Sequence, residues 1–237
     1  MGIKRVAVSG YQEMSDRAAL LVIQRIKEKP DLVLGLATGS TPLGLYERLV
    51  ESYQQGETDF SQVATFNLDE YCGLSKNHPQ SYQYFMDKHL FSLVNIDCRQ
   101  VHFPQENDGL DKYEQKIKDT GGVDVQILGI GRNGHIGFNE PGSAFTSRTR
   151  VVDLTDVTIK DNARFFARPE EVPRRAVTMG LATIMDAKEI LLLASGASKA
   201  SVVERLMTEK QSVDVPASIL WGHPKIMLIV DKEADGN

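Results

Sequence analysis

Short apolar runs recur along the chain and alternate with longer stretches in which apolar positions return every three or four residues. Leu32–Leu36, Val125–Leu128 and Ile190–Ala194 are runs of the first kind. Without polar alternation they read as strands buried in the middle of a parallel sheet. Lys4–Val8 alternates like a first strand, Val63–Asn67 and Arg99–Phe103 supply others, and Lys225–Val230 closes the chain. Helical spacing covers Arg17–Lys29, with Ser15 as its cap, Pro30 as its stop, and Ala19, Leu20, Ile23 and Ile26 on one face. It recurs over Leu43–Tyr53, Ser81–Leu90, Leu110–Asp119, Thr155–Ala167, Leu181–Met185 and Lys199–Lys210. Strand and helix alternate about six times, which predicts a single-domain α/β fold. The expected architecture is three-layer αβα, with a mostly parallel, Rossmann-like sheet. Regularity breaks only at about 148–175, where a small ribbon at Arg148–Leu154 leads into the amphipathic segment and then the charged run Arg168–Arg175. That stretch reads as a lid insert.

In a parallel sheet the loops that follow strands emerge at one edge and converge on one cleft. Four loops qualify: Thr38–Pro42, Asp69–Tyr71, Gly129–Glu140 and Ser195–Lys199. The third carries four glycines, Gly129, Gly131, Gly134 and Gly137, together with Asn133, His135 and Glu140. Gly129–Gly134 matches the spacing of a dinucleotide fingerprint, and Asp153 lies where that motif wants a ribose-binding acid. The fingerprint needs a helix opening at its third glycine, however. Here Gly137 and Pro141 follow too soon, which argues against a nicotinamide or flavin cofactor.

His135 and Glu140 can form an oriented acid/base pair, because a carboxylate holds an imidazole in one tautomer. The other histidines, His78, His89, His102 and His223, sit in ordinary structural surroundings. Asp69 and Glu70, just past a strand end, suit either a base acting on a carbon acid or a cap for the next segment. Gly39, Ser40 and Thr41 offer free N–H groups and hydroxyls at a helix start, which fits an anion site as well as a plain helix entry capped by Thr41. Lys199 adds a cation to the fourth loop, or else is a solvated helix residue. Arg164, beside Phe165 and Phe166, suits bidentate phosphate contact.

Composition narrows the partners. The chain has 237 residues, 41% of them hydrophobic, enough for a substantial core. Net charge is −5 with both signs mixed and no long basic run, so nucleic acid is not the expected partner. A polyanionic substrate then needs a local cationic pocket. Cys72 and Cys98 fit neither a disulfide framework nor metal-ligand spacing, and no histidine pair suits a metal. With no signal-like N-terminus and no membrane-spanning run, the sequence reads as a cytoplasmic protein that does not engage a membrane.

Three motifs together resemble the glucosamine-6-phosphate deaminase family: Leu-Ala-Thr-Gly-Ser-Thr-Pro at 36–42, Asn-Leu-Asp-Glu-Tyr at 67–71, and the glycine loop with its sequel at 129–141. Ser-Arg-Thr-Arg at 147–150, Asn-Ala-Arg-Phe-Phe at 162–166 and Gly-Ala-Ser-Lys at 196–199 extend the resemblance over most of the chain. Lactonases acting on phosphorylated sugars share the fold and parts of the glycine loops, but not the pairing of the second and third motifs. The resemblance implies an aldose–ketose isomerising deamination of glucosamine 6-phosphate to fructose 6-phosphate and ammonia, without a cofactor. It implies that Gly39, Ser40, Thr41, Arg164 and Lys199 hold the phosphate. His135 would open the sugar ring, positioned by Glu140 and Asn133, and Asp69 would move the proton from C2 to C1. A non-catalytic sugar-phosphate sensor and a phosphosugar lactonase are the alternatives.

Two positions depart from the family pattern. Some members carry aspartate where this chain has Asn133, so the ring-opening network has one fewer ionisable group. Regulated members are longer and carry a lysine where this chain has Val152. Arg150 is present, yet activation by N-acetylglucosamine 6-phosphate is expected to be absent. The short chain is compatible with a monomer.

Overall fold

The computed structural model describes residues 2–236 apart from Asp108, Phe165, Ala167 and Glu209. Ten strands and seven α-helices follow one another along these residues. They are β1 (Lys4–Val8), α1 (Tyr11–Glu28), β2 (Val33–Leu36), α2 (Leu43–Gln54), β3 (Ala64–Asn67), β4 (Asp69–Tyr71), α3 (Tyr82–His89) and β5 (Val101–His102). Then come α4 (Leu110–Asp119), β6 (Val125–Gly129), β7 (Arg150–Asp153), α5 (Asp156–Ala163), β8 (Arg175–Thr178), α6 (Leu181–Met185), β9 (Glu189–Ala194), α7 (Ala200–Thr208) and β10 (Ile226–Asp231).

Seven strands form one parallel sheet in the order β1-β10-β9-β6-β2-β3-β5. Its central strands β2 and β9 are buried at every position, as their unbroken apolar runs require. Alternate residues of these strands feed two apolar layers. One gathers Leu34, Leu36, Val125, Ile127, Leu191 and Leu193 with α1 and α2; the other gathers Leu128, Ile190, Leu192 and Leu228 with α4, α6 and α7. Helices on both faces of a mostly parallel sheet give the three-layer α/β architecture expected.

Several local expectations are corrected. Asp69–Tyr71 is a strand rather than a loop. It pairs antiparallel with β8, which pairs with β7, making a second sheet ordered β4-β8-β7. The charged run Arg168–Arg175 therefore leads straight into a strand that nearest-neighbour patterning does not show. Helix α1 starts at Tyr11 after an extended Gly10, and Ser15 is interior, its hydroxyl donating to the Tyr11 carbonyl. Its buried face runs through Met14, Ala18, Ala19, Val22 and Ile26, leaving Leu20 64% exposed. A 3₁₀ helix at Pro216–Gly222 lies in a stretch to which the sequence pattern assigned no element. Phe165, expected beside Arg164, and Ala167 lie outside the described residues, as does Glu209 beyond the end of α7.

Candidate active site

The chain leaves β3 at Asn67, and two backbone bonds hand it from one sheet to the other: Leu68 N–H donates to the Leu36 carbonyl and Met179 N–H to the Leu68 carbonyl. Asp69 therefore sits where the two sheets meet, opposite Thr178 and 6% exposed. Among the described residues its carboxylate has no hydrogen-bond partner. Burial, with the negative charge of Glu70 added, pushes its pKa up from 3.8 to about 8. A buried, unpartnered carboxyl of raised pKa has the basicity that proton abstraction from carbon requires.

Glu70 is fully employed elsewhere. Its Oε1 accepts from the Tyr71 and Tyr82 backbone N–H groups and its Oε2 from that of Gln83. It thereby satisfies free amides at the start of α3 and meets the positive end of that helix, while the Ser81 hydroxyl accepts from Tyr84 N–H. Of the two adjacent acids, only Asp69 remains available for chemistry.

The glycine loop after β6 folds back over Asp69. Gly131 N–H donates to the His135 carbonyl, and Gly134 N–H to the Gly131 carbonyl, so no helix opens at Gly134. Gly137 adopts φ +57°, and a Cβ there would lie 3.2 Å from Asp69 Oδ2 and 2.8 Å from Thr178 Oγ1. A Cβ at Gly131 would overlap the His135 imidazole, so the ring lies against bare backbone.

The side chains of this loop form a directed network. Glu140 Oε2 accepts from Asn133 Nδ2 at 2.7 Å, and Asn133 Oδ1 stands 2.7 Å from His135 Nδ1. An ionised carboxylate only accepts, so the asparagine must turn its NH₂ toward Glu140 and its oxygen toward the ring. That oxygen in turn requires Nδ1 to carry a proton, leaving Nε2 as the lone-pair nitrogen of the neutral ring. Asparagine thus relays the orientation of Glu140 by a fixed dipole, without an ionisable group. The direct Nδ1–Oε2 separation is 3.6 Å, an electrostatic distance rather than a hydrogen bond. Burial works to raise the Glu140 pKa, but His135, Thr158 and Asn133 outweigh it and hold the carboxyl down at about 2.

Beneath the loop, Asn139 is fully buried and donates to the Ile136 and Met179 carbonyls, while its Oδ1 accepts from Arg150 Nη1 at 2.8 Å. Arg150 is thereby committed to holding the loop. Tyr71, Tyr82, Phe138 and Phe166 pack together beside it, and the Tyr71 hydroxyl accepts from Asn162 on α5.

The expected phosphate ligands lie on two loops of the same sheet edge and on a third segment. Gly39, at φ +117°, and Ser40 are exposed between β2 and α2, with Thr41 half-buried. Thr41 does not cap α2, which has no side-chain cap. Tyr11 braces this loop, its hydroxyl donating to the Ser40 carbonyl and accepting from Gly44 N–H. Across the sheet, Asp231 fixes the start of the other loop by accepting from the Ser195 hydroxyl and Gly196 N–H. Lys199 follows, half-buried, its pKa lowered by burial and then by the positive charge of Arg132. Two cations thus lie near each other in a protein of net charge −5, a local concentration of positive charge. Arg132 was not among the sequence candidates, because nothing in its spacing separates it from a solvated loop residue. Arg164 is exposed at the C-terminal end of α5, on the 148–175 segment rather than on the convergent loops. Among the described residues no cluster of histidine, cysteine and acidic side chains suits a metal ion.

Residues 8–228 match the family described as glucosamine-6-phosphate isomerases/6-phosphogluconolactonase. A glucosamine-6-phosphate deaminase of Thermoanaerobacter pseudethanolicus is 53% identical over 237 residues, covering 98% of this chain and 94% of the relative. Glucosamine-6-phosphate deaminase 2 of Bacillus subtilis is 52% identical, covering 98% of this chain and 96% of its own. A solved monomeric glucosamine-6-phosphate deaminase superposes with a TM-score of 0.95 at 44% identity over 99% of both chains. The 6-phosphogluconolactonase of Trypanosoma brucei shares the fold at 20% identity, with a TM-score of 0.79. The chain belongs to the glucosamine-6-phosphate isomerase/6-phosphogluconolactonase family, on its deaminase side.

Proposed function

We propose that the protein converts glucosamine 6-phosphate to fructose 6-phosphate and ammonia in amino-sugar catabolism. The observation that carries this reading is the buried, unpartnered Asp69 set under a loop that holds a tautomer-fixed histidine. A lactonase needs no base of raised pKa at that point, and a sensor needs neither group. Relatives at 53% and 52% identity that bear the deaminase name support the same choice.

Gly39, Ser40, Thr41 and Lys199 anchor the phosphate, with Arg164 brought in from α5. His135 Nε2 then faces the anomeric centre. The ring oxygen and the anomeric hydroxyl share C1, so one nitrogen serves both: it takes the hydroxyl proton as the C1–O5 bond breaks, and returns it to O5. Glu140, through Asn133, stabilises the imidazolium formed between these transfers. In the open chain, Asp69 removes the C2 proton, the electron pair forms the C1–C2 double bond of the enolamine, and the aldehyde oxygen O1 takes up a proton from the neighbouring C2 ammonium group. Return of the proton to C1 gives a ketimine, which water hydrolyses to the ketose and ammonia. The phosphate anchor fixes C2 against the base, so binding energy several atoms away aids the chemistry.

Segment 148–175, carrying α5, acts as a lid over this site. The enzyme works as a monomer in the cytoplasm. The solved monomeric relative supports the first part of that statement, and the absence, among the described residues, of any helix long and apolar enough to cross a membrane is compatible with the second. The test is ammonium release from glucosamine 6-phosphate with equimolar fructose 6-phosphate formed. Hydrolysis of 6-phosphogluconolactone with no ammonium release would replace this reading with the lactonase one.

A further inference from the structure

Glu140 is held at both oxygens, and the two donors come from different parts of the chain. Oε2 takes the Asn133 amide of its own loop. Oε1 takes the Thr158 hydroxyl at 2.7 Å, from α5. Thr158 Oγ1 also lies 3.0 Å from Thr155 Oγ1, and Thr155 caps α5 by accepting from Thr158 N–H. Because the Thr158 proton points to the carboxylate, the Thr155 hydroxyl is the donor between the two threonines. The result is two donor chains that converge on Glu140: Thr155 to Thr158 to Oε1 from α5, and His135 to Asn133 to Oε2 within the loop, with the His135 backbone N–H also donating to Asn133 Oδ1. Helix α5 touches the other half of the site as well, through Asn162 Nδ2 to the Tyr71 hydroxyl at 2.8 Å, two residues beyond Asp69.

Resting on the deaminase reading, we infer that Thr158 is a positioning residue for ring opening, and that seating of α5 through it sets the register of Glu140, Asn133 and His135. A carboxylate gripped at one oxygen swings about its terminal torsion, which is broad. Gripped at both, it has one orientation, and so has the asparagine that follows it. With α5 away, Glu140 keeps Asn133 but loses the second anchor. The Asn133 dipole is then less fixed, and the imidazole gains access to the tautomer that carries its proton on Nε2. That tautomer cannot accept the anomeric proton. Ring opening is thereby tied to the presence of the segment that covers the sugar, and an uncovered sugar stays closed.

The test uses Thr158→Val, which keeps the β-branched shape and deletes the hydroxyl, and Thr158→Ser, which restores it. With glucosamine 6-phosphate deuterated at C2, Thr158→Val is expected to lower kcat/KM roughly tenfold, the loss of one hydrogen bond to a charged group. The isotope effect on kcat/KM should fall toward unity, because the step made slower precedes C2–H cleavage. Thr158→Ser should recover both values. A merely structural role would lower the melting temperature and leave the isotope effect alone. A second readout is independent of turnover: ¹⁵N spectra of the His135 ring in the unliganded protein should show Nδ1–H dominant in the wild type and a larger share of Nε2–H in Thr158→Val. An unchanged isotope effect together with an unchanged tautomer ratio overturns the inference. A wild type that releases no ammonium defeats the deaminase reading instead, and the tautomer ratio then still decides the role of Thr158.

Discussion

Asp69 is an acid that the fold prefers to keep neutral, and that preference has opposite consequences for stability and for activity. Its folded pKa, about 8, lies above the ordinary 3.8. The contribution of this group to stability is therefore complete below about pH 4 and is lost as pH rises through about 8. Asp69→Asn should accordingly melt higher than the wild type, with a margin that grows between acid and mildly alkaline pH. A margin independent of pH would contradict the raised pKa. Activity has the reverse dependence, because the base must be ionised: kcat/KM should climb with pH through about 8 before other groups intervene. Gly131 sets a different constraint. Gly131→Ala places a methyl group in the volume of the His135 ring, so kcat should fall by about 10²–10⁴, the usual worth of a general acid/base group, while the circular-dichroism melting curve changes little. At this scale the sequence marks the positions better than the roles: Asn133, His135 and Glu140, read as one loop cluster, do form one network, whereas residue type alone left Asp69 and Glu70 each as base or cap, and Glu70 is the one spent on backbone amides. Arg132 and Thr158 were illegible, since their roles come from side chains that meet only across the folded chain.

Among the elements, the runs that the pattern read best are those whose environment is uniform: β2, β6 and β9 are buried on both faces and apolar throughout or nearly so. Strand β4 was read as a loop because Asp-Glu-Tyr has no strand signature of its own. It is extended because β8, more than a hundred residues later, pairs with it. The start of α1 was misplaced for a related reason: Ser15 looks like a cap in sequence, but its hydroxyl is spent on the previous turn and it packs where α1 meets Gly44 of α2. Glu70 shows how the small sheet and α3 are joined. Glu70→Gln replaces one of two accepting oxygens by a donor facing backbone N–H groups, so it should cost about 1–3 kcal/mol in chemical denaturation. A loss confined to activity would contradict its helix-anchoring role. The α5 segment makes its own prediction: limited proteolysis within 148–175 should slow in the presence of a sugar phosphate, and equal cleavage with and without ligand would count against a lid.

For the molecule as a whole, the strand order places loops from β2, β3, β6 and β9 at one edge of the sheet, which is what the alternation of elements implied before any contact was known. The second sheet was not foreseen, yet it is what carries Asp69 beneath the glycine loop. Among the described residues the large exposed apolar side chains, Tyr11, Leu20, Tyr84, Leu93 and Val213, are spread over α1, α3 and two connecting segments. Arg150, left by the sequence as the remaining cation of an activator site, is tied to Asn139. Substrate saturation should therefore be hyperbolic and unchanged by N-acetylglucosamine 6-phosphate. A sigmoidal curve that this compound straightens would refute that view.

The central claim is that Asp69 carries the proton between C2 and C1, and it is tested most directly by following solvent hydrogen into the product. In deuterium oxide, the wild type should release fructose 6-phosphate labelled at C1, because the base exchanges with solvent between removal and return. Asp69→Asn should still bind the sugar phosphate, yet give neither label nor ammonium. An Asp69→Asn variant that turns over and labels its product like the wild type would contradict the account.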